Sequence, residues 1–367
     1  MDKAQIVERA RALGPMIATR LTETDEKRTL PAASVQEFLD AGFARILIPK
    51  EFGGYELGFD TWYEMMREIS KADASHGWCA GLMSHHPHML NQFPEDAQKA
   101  VWDSGPDTAI SASVAPALDV EKVRGGYRVS GSKSAFSSGI NHAHWAILGG
   151  RVPDGGKPKH CFFLIPAKDY TIKDTWHTTG MRGTGSCTVV TDDVYVPESH
   201  VLTITDLAHG SGSKRNDNYI FNAPFYFYAP LTFVAPMVGA AIGAQDLFVN
   251  ATRERIGARG HRIAEQDSVL QRLGRVSADL DAADLLLSRA ANIPAMAHMS
   301  QSEIMARNAR DCSRAAEIAV QSIDTLMAMS GTAAFGTGNR LQRAWNDIHL
   351  AAAHMALNPD INYAHHS

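Results

Sequence analysis

The stretch Gly180–Ser199, GMRGTGSCTVVTDDVYVPES, sets three glycines within six residues directly ahead of a β-branched run that closes on a Val-Pro turn. Short runs of Val, Thr and Tyr bounded by Gly on one side and Pro on the other read as strands. The small-residue loop ahead of the run can cradle a phosphate, admit a flat ring to the backbone, or turn a corner. The stretch alone leaves those three readings open. Its neighbours extend the strand pattern: GGYRVSGSKSAFSSG (125–139), HWAILGGRV (144–152) and HCFFLIPA (160–167) are short, apolar or β-branched, and bounded by Gly, Pro or Ser.

Working outward, the period changes on both sides. AASVQEFLDAGFARILIP (32–49) and GFDTWYEMMREISKADASHGWCAGLMSHH (58–86) carry apolar residues at helical spacing, separated by the breaker-rich EFGGYELG run. Beyond 224, AEQDSVLQRLGRVSADLDAADLLLSRAANI and ARDCSRAAEIAVQSIDTLMAMSG are long and Ala/Leu-rich with few breakers. The order is therefore a helical domain (1–108), a β domain (109–206) and a second helical domain (207–367). The fold class is α+β, mostly α. Strands that do not alternate with helices argue against a doubly wound nucleotide-binding fold.

Composition narrows the partners. A chain of 367 residues is long enough for two or three domains. With 35 Lys and Arg against 40 Asp and Glu there is no basic excess to hold a nucleic acid. Cys79, Cys161, Cys187 and Cys312 lie far apart without metal-ligand spacing, which fits reduced thiols in the cytoplasm. The N-terminal MDKAQIVERARALGPMI reads as a charged amphipathic helix rather than a signal peptide. APLTFVAPMVGAAIGA (229–244) is too short to span a membrane, and its glycines suit a close-packed internal helix starting near Pro236. No membrane partner is expected.

Four segments in order, IPKEFGGYEL, GGYRVSGSKSAFSSG, GMRGTGSCTVVTDDVYVP and TRERIG with QDSVLQRLGRVSADLDAADLLL, resemble the acyl-CoA dehydrogenase fold. The resemblance implies an N-terminal helical domain, a central β-barrel-like domain, a C-terminal four-helix bundle and a homotetramer. HHPHMLNQF, SSGINHAHW, WHTTGMRGTGS and WNDIHLAAAHMALN are similar to one branch, the flavin-dependent two-component monooxygenases. In that branch a separate flavin reductase supplies reduced flavin (FMNH2 or FADH2). With O2 the flavin forms a C4a-hydroperoxide, which hydroxylates a small aromatic substrate, phenolic or indole-like. A dehydrogenase would need a carboxylate base in the bundle, and residues 331–367 contain no Glu.

The same resemblance implies site residues. Ser138 matches a serine near flavin N5, Ser137 its dehydrogenase counterpart, and both are short enough not to crowd the ring. His86 matches a pocket histidine of the N-terminal domain and His354 one of the bundle, with His85, His88 and His349 as register competitors. An imidazole near a phenol can take its proton near neutral pH. Trp176, Arg182, Thr184 and Ser186 belong to the glycine loop over the cofactor, and Arg253 matches a phosphate-binding arginine. Ser113, in preference to Ser111, lines the substrate pocket, and Phe225 and Tyr228 either line it or pack the core. Asp347 orients a nearby histidine or arginine. No Cys or carboxylate completes a metal set around His85, His86 and His88, so no metal is expected. The competing readings are an acyl-CoA dehydrogenase-like flavoenzyme and a non-catalytic flavin-binding protein.

Overall fold

The computed structural model describes residues 1–213, 215, 218–257 and 260–366. Six α-helices come first: α1 (Lys3–Thr19), α2 (Leu21–Lys27), α3 (Ala32–Asp40), α4 (Phe59–Ser70), α5 (Ala74–Leu90) and α6 (Glu95–Trp102). α1 opens on a reciprocal cap, Asp2 accepting from the Gln5 N–H while the Gln5 side chain accepts from the Asp2 N–H. α5 opens on Asp73, whose carboxylate accepts the His76 N–H. Every residue of α5 is buried, so the helix has no solvent face.

Seven strands follow: β1 (Ile110–Val123), β2 (Gly126–Ser137), β3 (Trp145–Val152), β4 (Lys159–Pro166), β5 (Thr171–Lys173), β6 (Cys187–Pro197) and β7 (Val201–Thr203). They form one sheet in the order β5-β6-β2-β1-β3-β4-β7, with β5 and β7 as its edges. β1 serves both halves. Asp119–Val123 pair antiparallel with β2, Ile110–Ser113 pair parallel with β3, and the register shifts between Ser113 and Leu118.

The helical pattern then returns as α7 (Ile204–His209), α8 (Tyr219–Asn222), α9 (Phe225–Thr252), α10 (Asp267–Ala291), α11 (Gln301–Ser330), α12 (Arg340–Ala352) and α13 (Pro359–His366). α9, α10, α11 and α12 pack as a bundle, and α9 also packs on α4 and α5. The helix expected to begin near Pro236 begins at Phe225 and carries Pro230 and Pro236 inside it. A proline costs a helix about 3 kcal/mol, less than burying an apolar helix gains over several turns. α9 is long and apolar enough to cross a membrane, and most of it is buried within the protein instead. Its glycines bring backbones together: a Cβ on Gly243 would lie 2.0 Å from the carbonyl oxygen of Lys71, the residue after α4.

A buried ionic cluster ties the three parts. The Asp73 carboxylate meets His76 Nδ1 at 2.6 Å and Arg343 Nε, from α12, at 2.7 Å. Arg343 also pairs with Asp25 of α2. Asp347, one turn further along α12, accepts the N–H of Met181 in the glycine loop. Burial works to raise the Asp73 carboxyl, but the Arg343 guanidinium and the His76 contact override it and hold the group well below the usual carboxylate range.

Removing the cation from such a cluster leaves uncompensated buried charge. Arg343→Met should therefore cost about 3–5 kcal/mol of unfolding free energy in urea, and adding Asp73→Asn should recover much of it. A single-variant loss below about 0.5 kcal/mol, the scale of a surface pair, would contradict this account.

Candidate active site

Ser138 follows the last residue of β2 and is buried. Its Oγ lies 3.1 Å from Trp78 Nε1 of α5 and 2.7 Å from Ser186 Oγ. Ser186 Oγ lies 2.7 Å from Thr184 Oγ1, which in turn lies 2.9 Å from the Met181 carbonyl oxygen. An indole N–H only donates and a carbonyl oxygen only accepts. The ends therefore fix the direction of the whole chain: Trp78 donates to Ser138, Ser138 to Ser186, Ser186 to Thr184, and Thr184 to Met181. The Ser138 proton is committed to Ser186, and one lone pair on Ser138 Oγ remains.

The start of β1 ties this chain to the histidines of α5. Ser111 Oγ donates to the Ser138 carbonyl at 2.9 Å, and His86 Nδ1 donates to the Ile110 carbonyl at 2.6 Å. With Nδ1 carrying the proton, His86 Nε2 is a bare lone pair. Burial pulls the ring down to about 4, against the Ile110 hydrogen bond, so it is neutral near pH 7. His354, just beyond α12, shows the opposite polarity. Its Nδ1 accepts the Ala356 N–H at 3.2 Å, so the neutral ring carries its proton on Nε2. Burial pulls this ring also down to about 4. It stacks on Phe233 with centroids 3.7 Å apart and lies edge-on to Trp78 at 6.0 Å. Trp78 thus stands between His354 and Ser138.

Thr184, Ser186, Ser138 and His354 gather around Trp78, and His86 joins them through β1. Trp78 itself was missed by sequence reasoning, although it lies within the quoted helical stretch. The other expected residues are placed as follows. Ser137 Oγ points into its own strand, donating to the Ser134 carbonyl at 3.3 Å, because alternation along β2 turns it away from Ser138. Ser113 Oγ donates to the Ala135 carbonyl at 2.9 Å and joins β1 to β2. The Arg182 guanidinium donates to the Asp25 and Thr178 carbonyls. Arg253 is exposed at the C-terminal end of α9, its guanidinium without a partner among the described residues.

Tyr228 is fully buried, its hydroxyl donating to His88 Nδ1 at 2.6 Å and its ring stacked on Phe59. The core reading of Tyr228 holds, and His88 is structural, since its Nε2 donates to the Ile220 carbonyl. Phe225 stacks on His85, whose two ring nitrogens meet no partner among the described residues. His349 lies on Asp324, on the far side of α12 from this cluster. Asp347 holds Met181 in place and lies 3.9 Å from Arg343.

The glycine loop answers the question its sequence raised. A Cβ on Gly180 would lie 2.2 Å from the Asn346 carbonyl oxygen of α12, and Gly185 sits at φ +52°. The loop is small-residued so that it can dock on the bundle and turn back into β6. Trp176 supports it from below, its Nε1 donating to the Met181 carbonyl at 2.9 Å. Ser138 and Gly139 border a narrow cavity of about 20 Å³, with Ile110, Thr184 and Cys79 on its walls. No carboxylate lines it among the described residues. Beyond Gly139 there is open space, and Phe136 stands 74% exposed, edge-on to Trp176. Short hydroxyls, an open glycine and an exposed aromatic ring together fit the edge of a flat heteroaromatic cofactor.

Known proteins are similar to this chain along nearly its whole length. The model of the acyl-CoA dehydrogenase N-terminal domain matches residues 2–104, and that of the C-terminal domain matches residues 231–359. The flavin-dependent monooxygenase oxygenase subunit HsaA of Rhodococcus jostii (strain RHA1) is 37% identical, over 97% of this chain and 96% of its own. The oxygenase component of the FADH(2)-dependent resorcinol hydroxylase of Rhizobium sp. (strain MTP-10005) is 33% identical, over 97% and 91%. The solved structure of XiaF from Streptomyces sp., in complex with FADH2 and glycerol, superposes with a TM-score of 0.93 at 29% identity, covering 99% of this chain and 94% of that one.

Burial pushes Asp347 up to about 7, against the pull of Arg343. The native state then keeps a proton that the unfolded chain releases near pH 4. Between about pH 4 and pH 7 the native state binds more protons, so this group makes stability fall as pH rises. Asp347→Asn keeps an acceptor for Met181 and removes the titration. Melting temperatures measured across that window should show the variant gaining on the parent as pH rises. A constant difference would assign the titration elsewhere.

Proposed function

The chain belongs to the acyl-CoA dehydrogenase family and is the oxygenase component of a two-component flavin-dependent monooxygenase, and on that premise we propose how its residues share the work. Reduced flavin, FMNH2 or FADH2, is received from a separate reductase and seats its N5 edge beside Ser138. The substrate is a small aromatic, phenolic or indole-like, held between His86 and His354. When bound, reduced flavin supplies two electrons to O2, one oxygen atom entering the substrate and the other leaving as water.

The observation that carries this reading is the opposite polarity of the two neutral imidazoles. His86 presents a bare Nε2 and can accept a hydrogen bond from the O–H of a phenol, which orients the ring and raises its electron density. His354 presents an Nε2–H and can donate a hydrogen bond to an oxygen. Trp78 and Phe233 supply apolar surface beside His354 that excludes water. A dehydrogenase would need a carboxylate base in the bundle, and residues 331–367 contain no Glu. The relative named for resorcinol hydroxylation supports a phenolic substrate here. We further infer a cytoplasmic location, in keeping with four free, buried thiols, a homotetramer, and a division of labour by domain. Residues 1–108 supply the accepting imidazole, 109–206 the flavin edge, and 207–367 the donating imidazole.

His86→Ala should leave reduced-flavin binding intact and slow product formation by about 10²-fold or more. Since His86 is drawn down to about 4, it stays an acceptor at any pH above that. Its part in the rate should therefore fail only as pH falls toward 4, not near 6.5. Anaerobic titration decides the class: the parent should bind reduced flavin more tightly than oxidised. Equal affinity for both forms would overturn the oxygenase reading in favour of a dehydrogenase-like flavoenzyme.

A further inference from the structure

We propose that the hydroxyl chain Trp78–Ser138–Ser186–Thr184–Met181 is a redox selector, with Ser186 and Thr184 as positioning residues that hold Ser138 as a hydrogen-bond acceptor only. This rests on the placement of flavin N5 beside Ser138. The chain has a donor-only end at Trp78 Nε1, 3.1 Å from Ser138 Oγ, and an acceptor-only end at the Met181 carbonyl, 2.9 Å from Thr184 Oγ1. The links between are 2.7 Å each. A hydroxyl has one proton and two lone pairs. Ser138 uses the proton toward Ser186 and one lone pair toward Trp78, so it can offer a ligand only its second lone pair.

The two forms of flavin differ at the atom that would meet it. Reduced N5 carries an N–H and donates; oxidised N5 carries a bare lone pair and accepts. An acceptor-only Ser138 satisfies the first and sets lone pair against lone pair with the second. Discrimination therefore comes from the direction of a neutral chain rather than from charge. Met181 fixes the far end through its own backbone: its N–H donates to Asp347, while its carbonyl accepts from both Thr184 and Trp176. The carbonyl cannot turn away to let the chain reverse.

The test is unusual in that deleting a hydroxyl should strengthen binding. Ser186→Ala frees the Ser138 proton, which can then donate to oxidised N5. Thr184→Val removes the terminal acceptor, so Ser186 can donate back to Ser138 with the same effect. Thr184→Ser keeps the terminus. Equilibrium constants for oxidised FMN and FAD, and anaerobically for the reduced forms, should be measured for each protein. In Ser186→Ala and Thr184→Val, oxidised flavin should bind about 5- to 10-fold more tightly while reduced flavin changes by no more than about twofold. Thr184→Ser should keep the parent ratio. Loss of affinity for both forms together, or an unchanged ratio in both deletion variants, would overturn the selector. A parent with no preference for reduced flavin would instead sink the oxygenase reading on which the selector rests.

Discussion

The Asp73 carboxylate is the fixed point of the molecule. It caps α5, meets His76 within that helix, and reaches Arg343 of α12. Arg343 stands one turn from Asp347, which holds the glycine loop by the Met181 N–H. Trp78 lies five residues beyond Asp73, and Thr184 three beyond Met181. Both ends of the Ser138 hydroxyl chain therefore hang from one cluster of buried charges. Shifting α12 against α5 would change the distance between donor end and acceptor end, and the chain between them tolerates little change at 2.7 Å per link.

That arrangement is not a cheap source of stability. Arg343 Nη2 and Asp347 Oδ2 are buried without a hydrogen-bond partner among the described residues, and a buried ion pair often does no better than apolar residues of the same size. Its value is direction. Apolar surfaces slide with little penalty, whereas a carboxylate meeting a guanidinium nitrogen at 2.7 Å fixes rotation as well as distance. The slide-tolerant part of the fold is secured differently, by glycines of α9 against the backbone of α4. Sterics set how close the bundle approaches; charge sets its register.

The sequence shows the order of domains plainly, because the apolar period changes from helical to alternating and back, and each zone is long. The hydroxyl residues Ser138, Thr184 and Ser186 are legible because a glycine-flanked loop and a strand end are local features. The histidines are not. All of α5 is buried, so it has no polar face from which to count, and His85, His86 and His88 look alike until Ile110, Ile220 and Tyr228 choose among them. Tyr228 shows the same limit, since an aromatic run reads alike for core and pocket. The anchoring of Arg182 is not legible because its hydrogen bonds go to carbonyls, one of them 157 positions away, and backbone acceptors leave no trace in composition. The start of α9 misleads because proline is a local veto that long-range packing overrides.

A common thread runs through the groups placed around Trp78. His86 and His354 are both neutral, one offering a lone pair and the other an N–H, and the serines and threonine are neutral throughout. The charged cluster is kept behind them, in contact with the loop's backbone rather than with the cavity. A fixed charge beside a flavin would favour one net charge state in every step alike, and water would be drawn to it. Oriented neutral dipoles act only on the atom they face, and a donor or acceptor can be set at each position without solvating the site. The ionic cluster and the hydroxyl chain are thus one device in two layers: charges where rigidity is needed, and dipoles of fixed direction where protons must be told apart.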